Sequence, residues 1–398
     1  MASSSKIKSF FVPILLVLTA LVVSCTVPGT PQPGPEPASP GTSFVGGSNG
    51  LLISFIPGLP PDQIVDASGD PTTTGSSAAA QAESQGNFIV GVQVENAGED
   101  DIVQGHGRDG DSRPDYLVVT VEGINPLAFS RNPSILAAFT KELPKGFVIR
   151  GKEKVADTVF PGDRARILFP CDPVIDPSAC TEFLNYLGKL PGTQRFTIQA
   201  NACTIYETIS AARICLTDEI FRRASPGQTK VCEGTGSKPV ENWGAPVKIT
   251  RLEQTPIKQG VGGSQIISVV FDVEQTGIGQ IYDSNLQIGS NLFPTCSSIP
   301  IGRENIVDIQ LAQTEGSFST FRCFPQEIRL VNGKGTVTCD VFLNPGFARI
   351  DAEDNLVIRL RYGHMVSAQT SLTIHPDRSQ LINREFLREG GSTVGIGV

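Results

Sequence analysis

Few residues in this chain have the type and spacing to do chemistry. The densest acidic stretch is Glu99-Asp100-Asp101, followed by Asp109-Gly110-Asp111 and Asp115. Asp109 and Asp111 have the alternate spacing of a calcium loop, and Ca²⁺ is a hard cation that wants several oxygens. The bidentate Glu that should close such a loop is missing, and Arg108 and Arg113 intrude. The stretch therefore reads as a solvated surface loop, and no metal is expected. There are only three histidines. His106 and His364 have no evident partner in the sequence, and His375 falls at the end of a predicted strand. No Gly-x-Ser-x-Gly elbow, His-Glu-x-x-His helix or phosphate-binding glycine loop is present. No catalytic residue and no cofactor are expected, and the chain reads as a non-enzyme.

Cysteine is the one reactive residue in quantity. Apart from Cys25 there are eight: Cys171, Cys180, Cys203, Cys215, Cys232, Cys296, Cys323 and Cys339. No Cys-x-x-Cys pair occurs, which argues against structural zinc. An even number behind a secretion signal is read as a disulfide framework in an oxidising space. Five precede residue 240 and three follow it. If all eight pair, an odd number of bridges crosses that point. Cys215–Cys232 is favoured as a loop-closing bridge. Cys323 and Cys339 flank an Asn-Gly turn, but a simple two-residue turn does not set them opposite each other. A bridge from either to Cys296 stays open.

The N-terminus reads as an address. Lys6 and Lys8 precede the apolar run Phe10–Val23, which is 14 residues long and interrupted by Pro13. That is short of the roughly 20 residues of a membrane-spanning helix. The run ends in Val22-Val23-Ser24-Cys25, which resembles the lipobox of prokaryotic lipoproteins. The resemblance implies a signal peptide over 1–24, diacylglyceryl transfer to the Cys25 thiol and cleavage before it. Two acyl chains hold a protein on a membrane where one does not. Residues 25–50, with the run PGTPQPGPEPASPGTS, read as an extended Pro/Gly-rich tether with little apolar surface to bury.

The elements that would position any site are strands. Period-2 alternation dominates. It runs through Phe88, Val90, Val92 and Val94; Leu117, Val119 and Val121; Phe196, Ile198, Ala200 and Ala202; and Ile267, Val269, Phe271 and Val273. Near the end it runs through Leu356, Ile358 and Leu360, with Arg359 and Arg361 on the other face, and through Val366–Ile374 as a separate last strand. Ile328–Val331, Asn332-Gly333-Lys334-Gly335 and Thr336–Leu343 read as strand, turn, strand. Short helices are expected at 133–143, 178–187 and 380–388. The fold class is all-β: tandem Ig-like antiparallel β-sandwich domains with few short helices.

A weak repeat supports the tandem arrangement. VQVENAGEDDI at Val92–Ile102 aligns with FDVEQTGIGQI at Phe271–Ile281. Gly98 and Gly277 are expected at positive φ where the strand turns. A β-sandwich region with insertions, with room for two subdomains, is set at 51–240. An Ig-like sandwich follows at 245–376 and a tail at 377–398. In the tail Val394, Ile396 and Val398 alternate with glycine, the pattern of a frayed end or of an edge strand.

ISFIPGLPPDQI, LPGTQRFTIQANACTIYET, APVKITRLEQTP, LVNGKGTVTCDV and LVIRLRYGHMVSAQTSLTI together resemble a set of uncharacterised secreted cell-surface proteins from small-genome archaea. The resemblance implies extracytoplasmic β-sandwich domains and no activity. The lipobox and tether depart from that set. The second unit also resembles adhesion-type Ig-like domains of prokaryotic envelopes.

Net charge is −8, which excludes a nucleic-acid partner that would need clustered Lys and Arg. The reading is a lipid-anchored extracytoplasmic surface protein, held to the cell membrane or surface. Its role would be structural or protein-interaction, with other envelope proteins or itself as partner. The alternatives are an envelope binding module for a soluble glycan or peptide, which predicts an aromatic-lined groove, with the scarcity of Trp and Tyr counting against a glycan, and an envelope hydrolase.

Overall fold

The computed structural model describes residues 44–66, 87–105, 116–130, 139–171, 183–216, 232–260, 264–286, 296–297, 299–311, 317–344 and 352–376. The signal peptide, Cys25, most of the tether, Asp109, Asp111, Asp115, His106, Cys180 and the tail 377–398 lie outside them. The protein is all-β. In the first half the strands are β1 (Leu51–Phe55), β2 (Gln63–Val65), β3 (Val90–Asn96), β4 (Ile102–Val103), β5 (Leu117–Glu122), β6 (Thr140–Glu142), β7 (Val148–Ile149), β8 (Glu153–Val155), β9 (Thr158–Phe160), β10 (Arg164–Phe169) and β11 (Gln194–Cys215). In the second they are β12 (Gly236–Lys238), β13 (Val240–Asn242), β14 (Val247–Gln254), β15 (Lys258–Gln259), β16 (Gln265–Gln275), β17 (Gln280–Tyr282), β18 (Ile306–Leu311), β19 (Phe318–Phe324), β20 (Glu327–Arg329), β21 (Lys334–Leu343) and β22 (Glu353–His375). The helix described is a single 3₁₀ turn, Pro126–Ala128, capped by the Asn125 side chain. Thr140–Glu142, expected at the end of a helix, is a strand.

The expected short strands at 356–362 and 366–374 are one strand of 23 residues. One phase faces the core through Leu356, Ile358, Leu360, Tyr362, Val366, Leu372 and Ile374, with His364 buried in the same phase. β11 is likewise far longer than the expected 196–202. The two long strands pair antiparallel from Gln194↔Ile374 to Cys215↔Glu353.

The pairings on either side of this ladder mirror each other. The central sheet runs β20-β18-β22-β11-β5-β6. Each long strand thus carries one medium strand and then one short one. A three-stranded sheet, β1-β3-β10, is matched by β14-β16-β21 within the six-stranded sheet. Glu95 of β3 forms an ion pair with its register partner Arg164 at 2.8 Å. Glu274 of β16, its repeat equivalent, does so with Lys334 at 2.9 Å. Ala97 N–H donates to Gly50 O, and Thr276 N–H to Pro246 O. The weak sequence repeat is therefore a repeat of structure.

Gly98 and Gly277 do not adopt positive φ. They are needed for close approach instead. A Cβ on Gly98 would lie 1.9 Å from the Tyr206 hydroxyl and 2.5 Å from Gly244 O. One on Gly277 would lie 2.0 Å from Ser48 O and 2.7 Å from Pro246 Cα. Both glycines press on the two crossing segments, 46–50 and 244–246.

Strand pairing runs across the boundary set at 240–245. β1 packs over β22, and β14 over β11. The described residues belong to one compact unit. The halves are interlocked through a shared sheet and a shared core, not strung as two separate sandwiches. The main core lies on one face of the central sheet and includes Val92, Val119, Ala202, Tyr206, Phe271 and Leu360. The other face carries a smaller core of Tyr116, Val118, Cys203, Ile205, Tyr282, Leu286, Cys296 and Ile299.

Asn332 and Gly333 have φ of 53° and 76°, as a tight turn requires. The expected hairpin ladder does not follow. β20 pairs with β18 in the central sheet, while β21 pairs with β16 and β19. The turn is a corner between two sheets.

Candidate functional site

Among the described residues three disulfides fix this architecture. Cys215–Cys232 forms as expected. Cys203–Cys296 joins the two halves over a separation of 93 residues. Cys323 and Cys339 are register partners in β19 and β21 and are bonded, which corrects the expectation that they do not face each other. Cys296 is thereby committed to Cys203 and bonds neither. Cys171 is half-buried just after β10, and Cys180 lies outside the described residues. The bridges indicate an oxidising, extracytoplasmic environment. Among the described residues no helix is long and apolar enough to cross a membrane.

The acidic run at 99–101 is built into the fold. Glu99 accepts backbone N–H bonds from Val45, Gly46 and Gly244. Asp100 accepts the Glu207 N–H at 2.8 Å, and Asp101 the Gly151 N–H at 2.7 Å. Residues 44–50, grouped with the tether on composition, are thus held by the body.

Beside this run, on the face of the central sheet away from the main core, lies a cleft of about 910 Å³. That is within the range of ligand pockets, roughly 300–1,000 Å³. Its apolar lining is Val103, Phe160, Pro161, Ile209 and Trp243. Phe160, on the β8–β9 hairpin, is half exposed. Trp243 is the only tryptophan in the chain, and Phe44 packs edge-on against it at 6.3 Å between centroids. The rest of the lining is largely charged: Glu99, Asp100, Asp101, Glu153, Asp163 and Glu207 against Arg150, Lys152 and Arg359. Asp163 accepts the Arg150 N–H at 3.1 Å.

Glu207 and Arg359 line the cleft and belong to a buried charge row that continues beyond it. Glu207 lies 3.4 Å from Arg359 and 3.6 Å from Arg361. Asp308 is the register partner of Arg361 on its other side. An acid, a base and an acid therefore run across β11, β22 and β18. Buried charges persist where they are paired in this way. Arg359 and Arg361 do face away from the leucines of their strand, as the alternation predicts. Glu207 and Trp243 were not singled out by the sequence. Glu207 shares the phase of Cys203 in β11, and Trp243 sits in a segment that reads as a linker.

His364 is a core residue. Its Nε2 donates to Ile278 O at 2.9 Å, and its ring stands 6.0 Å from Tyr206. Among the described residues its Nδ1 has no hydrogen-bond partner. Burial holds its pKa down to about 4. His375 Nδ1 is 3.0 Å from the Thr193 hydroxyl at the exposed end of β22.

No protein-family model matches the chain, and no curated protein matches it.

Proposed function

We propose that this is a lipid-anchored surface protein, attached through Cys25, which displays its β-body outside the cytoplasm in a structural or protein-interaction role. The observation that supports this most is the ladder of β11 and β22, closed over by Cys203–Cys296. A body whose halves share one sheet, one core and one covalent link resists being pulled apart. Such a body suits a protein held at one end by a tether and engaged elsewhere by a neighbour. We read it as a non-enzyme whose partner is another envelope protein or a second copy. The resemblance to secreted archaeal surface proteins and the lipobox point the same way.

The experiment is fractionation of cells carrying Cys25→Ala, with a lipid label on the wild type. Release of the variant, and labelling of the wild type alone, are expected. A variant that stays uncleaved in the membrane overturns the anchor.

A second reading has its own support. An envelope binding module predicts an aromatic-lined groove, and Trp243 and Phe160 line one.

A further inference from the structure

We propose that the cleft binds an uncharged sugar unit of an envelope glycan. This inference rests on the second reading, that the protein is a binding module. Phe160 and Trp243 contribute aromatic surface to the cleft, and Val103, Pro161 and Ile209 add apolar carbon. A pyranose ring has an apolar C–H face that packs on aromatic carbon. It has a rim of hydroxyls, each both donor and acceptor.

The polar part of the lining supplies groups for that rim. Asp101 and Asp163 are each held in place by a backbone N–H, from Gly151 and Arg150 respectively. A carboxylate held by the fold is pre-organised, and pre-organisation lowers the cost of binding. Arg150, Lys152 and Arg359 stand among these acids as donors. The lining carries six carboxylates, of Glu99, Asp100, Asp101, Glu153, Asp163 and Glu207, against these three cations. A phosphate or a uronate would meet that excess of negative charge. A neutral polyol meets both donors and acceptors and no net repulsion. Its charge-assisted hydrogen bonds are the stronger kind.

Trp243 makes the test direct, because the chain has no other tryptophan. Full-length protein in a sugar-free detergent is titrated with neutral hexose and N-acetylhexosamine oligosaccharides, a uronate oligosaccharide, inorganic phosphate and a lysine-rich peptide. Tryptophan emission and calorimetric heat are both followed. A saturable shift with a neutral oligosaccharide is expected, with affinity at least tenfold weaker in Phe160→Ala and in Asp163→Asn. Phe160 is half exposed, so its truncation leaves the fold intact; Asp163→Asn probes the polar lining independently. If only the peptide, phosphate or uronate binds, the sugar assignment falls and the binding-module reading stands. If no probe gives a shift or heat, both fall. A neutral sugar that binds both variants as tightly as wild type overturns the placement in this cleft.

Discussion

Tyr206 and Tyr362 are register partners near the middle of the β11–β22 ladder, with ring centroids 6.2 Å apart. The Tyr206 hydroxyl donates to Asn96 Oδ1 at the end of β3. The Tyr362 hydroxyl is 2.9 Å from Thr208 Oγ1, which bonds Val247 O at the start of β14. One tyrosine ties the ladder to the first repeat, and its partner ties it to the second.

That linkage leaves no room beneath it. Gly98→Ala would drive a methyl group into the Tyr206 hydroxyl, and Gly277→Ala into Ser48 O. Overpacking typically costs about 1–3 kcal/mol. Both sites meet backbone oxygen, so the upper end is expected for each in denaturant unfolding. A loss below about 0.5 kcal/mol at either would show that the crossing segments can part.

The disulfides should differ in worth. Cys203–Cys296 closes a loop of 93 residues and Cys323–Cys339 one of 16. Chain entropy assigns about 4–5 kcal/mol to the first and about 3 to the second. Replacing each pair by alanine and comparing unfolding midpoints checks the order. A larger loss from the Cys323–Cys339 pair would mean that the halves are held by packing and not by the bridge.

The strands at Val90–Val94, Leu117–Val121 and Ile267–Val273 were legible because each sets an apolar residue at every second position against the main core, although Val118 on the other face of β5 is buried too. The length of β22 was present in the same signal. The apolar phase from Leu356 to Ile374 continues through Gly363, which reads as a break only when it is taken as a turn residue. The Cys323–Cys339 pair was not legible, for a topological reason. Val331↔Lys334 across the Asn332-Gly333 turn would set Cys339 opposite Gln326 in a continued hairpin. The chain instead leaves the sheet at β20, so that turn does not fix the β19–β21 register. The buried charge row was hidden for a similar reason. Glu207 meets Arg359 and Arg361 only once β11 is paired with a strand some 150 residues away.

Acid should loosen the core at His364. Its pKa is held at about 4 when folded, against 6.5 for the free side chain. Between those values the unfolded chain binds the extra proton, so stability rises with pH there. It is fully present above about pH 6.5 and falls by about 3 kcal/mol as pH drops to 4. His364→Gln keeps a donor for Ile278 O and removes the titration. Its stability profile should be flatter than wild type across that window. Parallel profiles would assign the acid sensitivity to the carboxylates.

Glu99 is where the body takes hold of the chain that precedes it. Three backbone N–H groups, from Val45, Gly46 and Gly244, end on this one half-buried carboxylate. Two of them belong to the segment leading from the tether and the third to the crossing segment before β14. Removing the acceptor leaves donors that water reaches only in part, and each such donor costs about 1–3 kcal/mol when fully buried. Glu99→Ala should therefore lose about 2 kcal/mol overall. The loss should be local: amide exchange at Val45, Gly46 and Gly244 should accelerate well beyond that of the β11–β22 ladder. Glu99→Gln keeps one acceptor oxygen and should lie between wild type and alanine. Uniform acceleration across the ladder would mean that Glu99 supports the whole core; no acceleration at Val45 and Gly46 would mean that Phe44 against Trp243 holds the segment by itself.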